Sequence, residues 1–223
     1  MKKIFLLTNI LLISTSSFAF ADNYYVSAKL AYSDQKAKNM DTSLRPGIGQ
    51  FVAGDDKQHK TTPTIALGYD YKNNWRAEVE YSFDKKYEYT SGSTTFPTSL
   101  NHHKVKTQSV FVNAYRDVEV YKNVAVFGSV GLGVAKVKSS GWQGVETRQY
   151  GSNTDTNLAY SVGAGVSYRP IKEVNIDLGY RYVDLGKVES GLNNFVNARG
   201  LQDEQMKAHL EKNEFYIGAR YNF

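Results

Sequence analysis

The chain ends in the stretch EFYIGARYNF, residues Glu214–Phe223, in which every second residue is apolar. A period of two predicts a β-strand with two different faces. One face is apolar and carries aromatic residues up to Phe223. The other face carries Glu214 and Arg220, so it is not an ordinary dry core. This combination is typical of a strand in a transmembrane β-barrel, which has lipid outside and a polar lumen inside.

The composition excludes one class of membrane protein and permits another. The 223 residues have a mean hydropathy of -0.46 and contain no run of about 18 apolar residues, so transmembrane helices are excluded. A barrel strand alternates, and its hydropathy averages out. Tyrosine is the commonest aromatic, with 17 residues, and suits an interface with one apolar and one wet side. The absence of cysteine excludes disulfides, thiolate metal sites and a cysteine nucleophile.

Residues 1–21 have the features of a secretory signal peptide. Lys2 and Lys3 precede a short apolar run, and Ala19–Ala21 fits a small-x-small cleavage site. An N-terminal anchor helix is the alternative, but the apolar run is too short to span a bilayer. The sequence therefore predicts a signal peptide over residues 1–21 and one barrel domain over residues 22–223.

Seven further alternating segments precede the terminal stretch. They are Tyr24–Asp34, Thr61–Tyr71, Trp75–Glu88, Lys104–Val118, Val124–Val137, Thr156–Arg169 and Val174–Leu185. Four long polar connections alternate with three short ones. Outer-membrane meander barrels have this asymmetry, with short turns in the periplasm and long loops outside. The prediction is an all-β, eight-stranded antiparallel up-and-down transmembrane barrel with four long extracellular loops and three short periplasmic turns.

A soluble eight-stranded ligand-binding barrel is the main structural alternative. Such a barrel would bury its apolar face around a cavity and expose its charges. Here one face carries nearly all the aromatic residues and the other carries opposed charges, which favours the membrane barrel.

The strand phases predict a lumenal charge network. Its members are Lys29, Asp70, Arg76, Glu78, Glu80, Asp117, Arg169, Asp177, Arg181, Glu214 and Arg220. Five positive and six negative charges nearly cancel. Buried charges are tolerated when they are paired, and side chains fill the interior of an eight-stranded barrel. We therefore expect a plug of salt bridges, with a narrow ion path as the alternative.

Several strands resemble those of a known family. The run Asp177–Tyr182, followed by Leu185–Val188, resembles the penultimate strand of opacity-type outer-membrane proteins. Asn113–Tyr115 with Asp117, and Gly131–Gly133, resemble the middle of that family, and Glu214–Phe223 resembles its closing strand. The wider group includes the attachment-invasion barrels and the Tia/Hek-type adhesins of enteric bacteria.

The resemblance implies a location in the bacterial outer membrane, among its lipids and lipopolysaccharide. It also implies recognition of the C-terminal strand by the assembly machinery. Members are often adhesins that bind host receptors or heparan-sulfate-like glycans through variable loops, so the resemblance assigns no binding residue.

Charge is distributed unevenly between loops and strands. The predicted loops with their strand tops hold 16 Lys/Arg and 11 Asp/Glu, whereas the rest of the mature chain holds 9 and 11. The excess predicts salt-sensitive binding of an acidic partner such as a sulfated glycan. The candidate residues are Lys57, His59, Lys60, Lys85, Lys86, His102, His103, Lys104 and Lys106. The alternative is that these solvated lysines attract the phosphates of lipopolysaccharide. Nucleic acid is not an expected partner of an exported chain.

Other functions remain as competing hypotheses. An enzyme that modifies lipid would need a histidine beside a serine near the membrane interface. The four histidines are His59, His102, His103 and His209, and no strand phase places one beside a serine on the lipid face. We therefore expect no enzyme, metal site or cofactor. A small porin and a structural barrel without adhesive role are the remaining alternatives.

Overall fold

The computed structural model describes residues 23–40, 51–197 and 199–223, and these form nine antiparallel strands. The strands are β1 Tyr24–Lys38, β2 Phe51–Ala53, β3 Lys57–Asp70, β4 Trp75–Ser93, β5 Asn101–Tyr121, β6 Val124–Gln143, β7 Val145–Ile171, β8 Val174–Glu189 and β9 Lys207–Asn222. In this part of the chain, no helix is long and apolar enough to cross a membrane. The predicted signal peptide lies outside the described residues and stays a prediction.

Eight of the nine strands, all except β2, close into a ring. From β3 to β9 each strand pairs with the next one along the chain. β1 completes the ring by pairing with β3 on one side and with β9 on the other, where Ala28 lies opposite Ala219. The stretch Glu214–Phe223 thus closes the barrel, as its pattern predicts. The remaining strand, β2, lies within the predicted first loop. It pairs only with the end of β4, where Phe51 lies opposite Ser93. The eight-stranded barrel is confirmed, with this short strand as an addition.

The apolar alternation forms a continuous band on the outside of the ring. Side chains in the band are exposed, for example Leu132 at 63%, Val162 at 53% and Ile217 at 53%. The residues between them point inward and are mostly buried or half-buried. A band of exposed apolar residues around a polar interior requires lipid outside, which excludes the soluble alternative.

The strands extend beyond the band on the side of the predicted long loops. The predicted third loop, residues 138–155, belongs instead almost entirely to β6 and β7, which join at Gly144. Gly144 has φ +68°, a left-handed value that glycine adopts readily. The prediction of four long loops is therefore wrong at this hairpin. The apolar alternation stops where the lipid stops, but the backbone hydrogen bonds continue.

The polarity of the interior changes along the barrel. Toward the outer end of the barrel, starting within the apolar band, inward side chains form a buried cluster that we call the apolar cap. It consists of Ala37, Met40, Tyr87, Tyr89, Val105, Phe111, Ala135, Val137, Ala159, Val183, Leu185, Val188, Ala208 and Leu210. A bulge between Ser82 and Lys85 changes the phase of β4 and turns the rings of Tyr87 and Tyr89 inward.

The three short turns lie at the opposite end, as the sequence predicts. Asn74 and Asn123 have φ values of 68° and 67°, which asparagine tolerates better than most residues. The third turn joins β7 to β8 after Ile171. These turns place both described termini of the barrel at the periplasmic end.

A substitution at an inward-facing glycine tests how tightly the interior of this barrel is packed. A Cβ added at Gly165 would lie 2.3 Å from the carbonyl oxygen of Leu178 and 2.4 Å from the Phe127 ring. We expect Gly165→Val to reduce the fraction that refolds in detergent, measured as the band that migrates differently on SDS gels before and after heating. Gly128→Val is the matched control, because a Cβ there meets nothing within 4 Å. Equal refolding of the two variants would contradict this packing.

Candidate functional site

The first candidate site is a network of charges in the lumen. The ammonium group of Lys29 contacts the carboxylate of Glu78 and lies 2.6 Å from Oε2 of Glu80. It also donates a hydrogen bond to the Tyr115 hydroxyl at 2.9 Å, and this hydroxyl donates to Glu78 at 2.6 Å. Lys29 and both glutamates are buried and have lost their hydration. The contacts between them compensate for this loss.

Arg181 extends the network across the lumen. Its Nη1 lies 2.7 Å from Oε1 of Glu80, and its Nε lies 2.5 Å from Oε2 of Glu214. The second oxygen of Glu214 accepts hydrogen bonds from Lys212 and Ser33, both at 2.7 Å. We call this set the central network. Its three cations and three carboxylates balance, and they are Lys29, Arg181, Lys212, Glu78, Glu80 and Glu214.

A second layer of pairs lies nearer the periplasm. Arg76 Nε lies 3.0 Å from Oδ2 of Asp117, and its guanidinium stacks 3.7 Å from the centre of the Tyr115 ring. Arg220 lies 3.5 Å from Asp177. Each pair is internally neutral, so the predicted plug consists of two balanced layers.

The remaining predicted lumenal residues lie at the rim. The carboxylate of Asp70 accepts a hydrogen bond from the backbone amide of Lys72, and Arg169 donates to the side chain of Asn175. Both residues line a periplasmic vestibule of about 280 Å³ instead of joining the central network. Conversely, the prediction omitted Lys212. Its alternation with Glu214 already indicated an inward side chain.

The central network generates a stability prediction. We expect Arg181→Met to lower the free energy of unfolding by about 3–5 kcal/mol, because it removes one of the two cations that contact each of Glu80 and Glu214 and leaves the buried network with an uncompensated negative charge. The measurement is urea unfolding in lipid vesicles. Lys172→Met is the control, since that side chain is 91% exposed and surface pairs contribute about 0–1 kcal/mol. Similar losses in both variants would show that Arg181 does not support the barrel.

The second candidate site is a basic surface on the outside of β4, β5 and β6, beyond the apolar band. Strand register places Lys86 opposite Lys106, and Lys106 opposite Lys138. We call these three lysines the basic row. Lys104 and Lys136 flank the row on β5 and β6, and both are exposed. The sequence prediction contained the lysines of β4 and β5 but missed those of β6, because their place in the row depends on register.

Few acids neutralise this surface. Lys106 pairs with Asp84 at 2.6 Å, and Glu88 contacts His102 at 2.9 Å. Among the described residues, no ion pair involves Lys86 or Lys138. The surface therefore keeps a net positive charge.

Aromatic rings border the basic surface. His102 stacks on Trp142 with ring centroids 3.6 Å apart and planes inclined by 9°. Both rings are partly exposed, so a ligand on the lysines can also contact an aromatic face.

The other predicted binding residues separate from this surface. Lys57, His59 and Lys60 lie on β3 where it pairs with β1, and His59 stacks on Tyr32. Lys85 is half-buried beside a cavity of about 10 Å³. The predicted set therefore does not form one patch.

His103 is a correction to the predicted surface. Its ring is 3% exposed and points into the barrel, where Nε2 lies 2.6 Å from the hydroxyl of Ser139. A histidine–serine pair thus exists, on the inner side. Substrate cannot reach these atoms, because Ser139 is fully buried. Burial disfavours the charged ring and lowers the pKa of His103 to about 4.

This burial predicts a pH dependence of stability. Between about pH 6.5 and pH 4 the unfolded chain binds a proton at His103 that the folded chain does not bind. The free energy of unfolding should therefore decrease by up to about 3 kcal/mol as the pH is lowered through this window. We expect His103→Gln to flatten that slope in urea titrations, whereas the exposed control His59→Gln should keep it. Parallel slopes for His103→Gln and wild type would refute this role.

Eight closed strands, an apolar outer band and a paired polar lumen define an outer-membrane β-barrel. The family model described as the outer membrane protein beta-barrel domain matches residues 5–223, so the chain belongs to this family. The protein is therefore located in the bacterial outer membrane, as predicted.

Relatives and solved structures agree with this assignment. The chain is 26% identical to outer membrane protein PagN of Salmonella typhimurium over 172 residues, which cover 71% of each protein. It is 25% identical over 142 residues to a candidate adhesin of Rickettsia rickettsii; the match covers 60% of this chain and 63% of that relative, less than two thirds of its length. The crystal structure of Neisserial surface protein A has a TM-score of 0.53 at 20% identity, covering 90% of this chain and 97% of that one. This likeness concerns the fold alone.

Proposed function

We propose that the protein is an adhesin that binds sulfated glycans through the basic surface of β4, β5 and β6. The observation that carries the proposal is the basic row, in which three lysines face one another across adjacent strands. Like charges directly opposite one another destabilise a sheet pair. A polyanion lying across the strands relieves this repulsion, and lysines bind sulfates as point charges.

The position of the surface fits a ligand outside the membrane. On β5 the last apolar outward residue is Val110, and Lys106 follows four residues farther out. At about 3.3 Å per residue, this places its Cα roughly 13 Å along the strand from the apolar band. Because the lysines lie on paired strands, their spacing is fixed before binding, which lowers the entropy lost on association.

The relatives support an adhesive role. The Rickettsia rickettsii relative is described as a candidate adhesin, and PagN as an outer-membrane protein. We propose that this chain likewise acts by binding and not by catalysis. Its one described histidine–serine pair is sealed inside the barrel.

A small porin is not favoured by any feature of the lumen. The central network fills the membrane-spanning part, and the apolar cap lies above it. The cavity beside Tyr87 and Lys212, between these layers, measures about 10 Å³. That is room for at most about one water molecule. We infer a closed barrel whose function lies on its outer surface.

The proposal predicts that heparin binding depends on the basic row. We expect the triple variant Lys86→Gln/Lys106→Gln/Lys138→Gln to bind heparin about tenfold more weakly, equivalent to about 1.4 kcal/mol. Binding should also weaken as salt rises, since the Debye length falls from about 10 Å at 0.1 M to about 3 Å at 1 M. The measurement is heparin-column retention of protein refolded in detergent without lipopolysaccharide.

The matched control removes the same charge from the opposite end of the barrel. The variant Lys72→Gln/Lys122→Gln/Lys172→Gln changes one lysine in each periplasmic turn. Equal losses in both triple variants would mean that heparin responds only to net charge. Absent retention at low salt, with binding to lipopolysaccharide aggregates instead, would assign the row to membrane phosphates.

A further inference from the structure

A cluster of possible metal ligands lies on the outer face of β8 and β9. Asp184, His209 and Glu211 each offer one ligand atom, and these atoms all lie within 4.8 Å of one another. His209 Nε2 is 2.9 Å from Oδ2 of Asp184 and 4.0 Å from Oε1 of Glu211. The sequence prediction assigned no role to this histidine and expected no metal site.

Strand geometry explains why the three side chains converge. His209 and Glu211 are two residues apart on β9, so they point to the same face. Register places Asp184 of β8 directly opposite Glu211. A bulge follows at Gly186, whose amide donates a hydrogen bond to Oδ1 of Asp184 at 2.8 Å and leaves Oδ2 directed at the histidine. Two ligands on one strand and a third across the pair form a compact three-sided site.

The neighbouring groups orient the ligands and bury Asp184, but they leave His209 and Glu211 partly exposed. Lys38 Nζ lies 2.6 Å from Oε2 of Glu211, so this lysine holds one carboxylate oxygen while Oε1 faces His209. The side chains of His209 and Glu211 remain 26% and 16% exposed, which leaves access from outside.

The chemistry of the three donors favours zinc over harder cations. Zinc accepts imidazole nitrogen and carboxylate oxygen at about 2.0–2.2 Å, and its open sites have three protein ligands and one water. Magnesium instead prefers oxygen ligands in an octahedron. Ligand atoms around tetrahedral zinc lie roughly 3.3 Å apart, so the observed separations require only small side-chain rotations. A cation would take the place of the hydrogen bond between Nε2 of His209 and Oδ2 of Asp184.

The geometry points to a zinc site formed by Asp184, His209 and Glu211, with a fourth position open toward the cell exterior. This site is independent of the glycan surface. It links β8 to the closing strand β9 just outside the membrane.

The test is stoichiometric zinc binding by the whole barrel, refolded without a histidine tag in metal-free detergent. Wild type should retain one zinc per chain after gel filtration, and cobalt substitution should produce the absorption bands of a tetrahedral site. We expect His209→Ala and Glu211→Gln each to weaken zinc binding by about tenfold or more, since even changes around the ligands cost about 10–100-fold. Heat-modifiable migration on SDS gels checks that each variant folds. If His209→Ala does not fold, the near-isosteric Glu211→Gln still tests the site.

His102→Ala is the matched control. His102 contacts Glu88 at the same 2.9 Å distance on the outside of the barrel, but no third ligand joins this pair among the described residues. Zinc retention in this variant should equal that of wild type. The proposal is overturned if wild type retains no zinc, if magnesium displaces zinc at equal concentration, or if His102→Ala loses as much zinc as His209→Ala.

Discussion

The guanidinium of Arg181 is the contact on which the interior of this barrel depends. It binds Glu80 of β4 and Glu214 of β9 from its place on β8, so one side chain joins three strands across the lumen. Its partners are fully buried, and a buried carboxylate without a cation is strongly destabilising. The strands can therefore close only in a register that brings these charges together. The charge pairs specify the same register that closes the backbone hydrogen bonds.

The polarity of the inner and outer faces of the barrel differs between the membrane-spanning part and the part outside the membrane. Within the membrane the outside is apolar and the lumen charged, whereas beyond the membrane the outside carries charged side chains and the interior contains the apolar cap together with buried polar residues such as Gln35 and His103. The outer part thus resembles a water-soluble barrel that continues a membrane barrel on the same strands. Because its core is packed, it holds surface side chains more firmly than a flexible loop would, which suits a binding surface.

The sequence predicts the part of the fold that lipid dictates. Lipid requires an apolar residue at every second position, so stretches such as Glu214–Phe223 identify the strands and their inward charges. Outside the membrane, this rule no longer applies. The bulge after Ser82 reverses the phase of β4 and turns Tyr87 inward. On β5 the phase is unbroken, and His103 points inward together with Val105 and Tyr115. The basic row was only partly predictable, because Lys138 joins it through register across β5 and β6.

Register also separates the two proposed sites. The basic row centres on β5 and the zinc ligands on β9, four strands apart in a ring of eight, and so on opposite sides of the barrel. Four strand spacings of about 4.8 Å correspond to roughly 19 Å around the wall. That distance exceeds the Debye length of about 8 Å at physiological salt, so a cation at Asp184 and Glu211 would change the field at Lys106 little. A glycan on one side of the rim and a metal on the other could thus be bound independently, and neither requires the barrel to open.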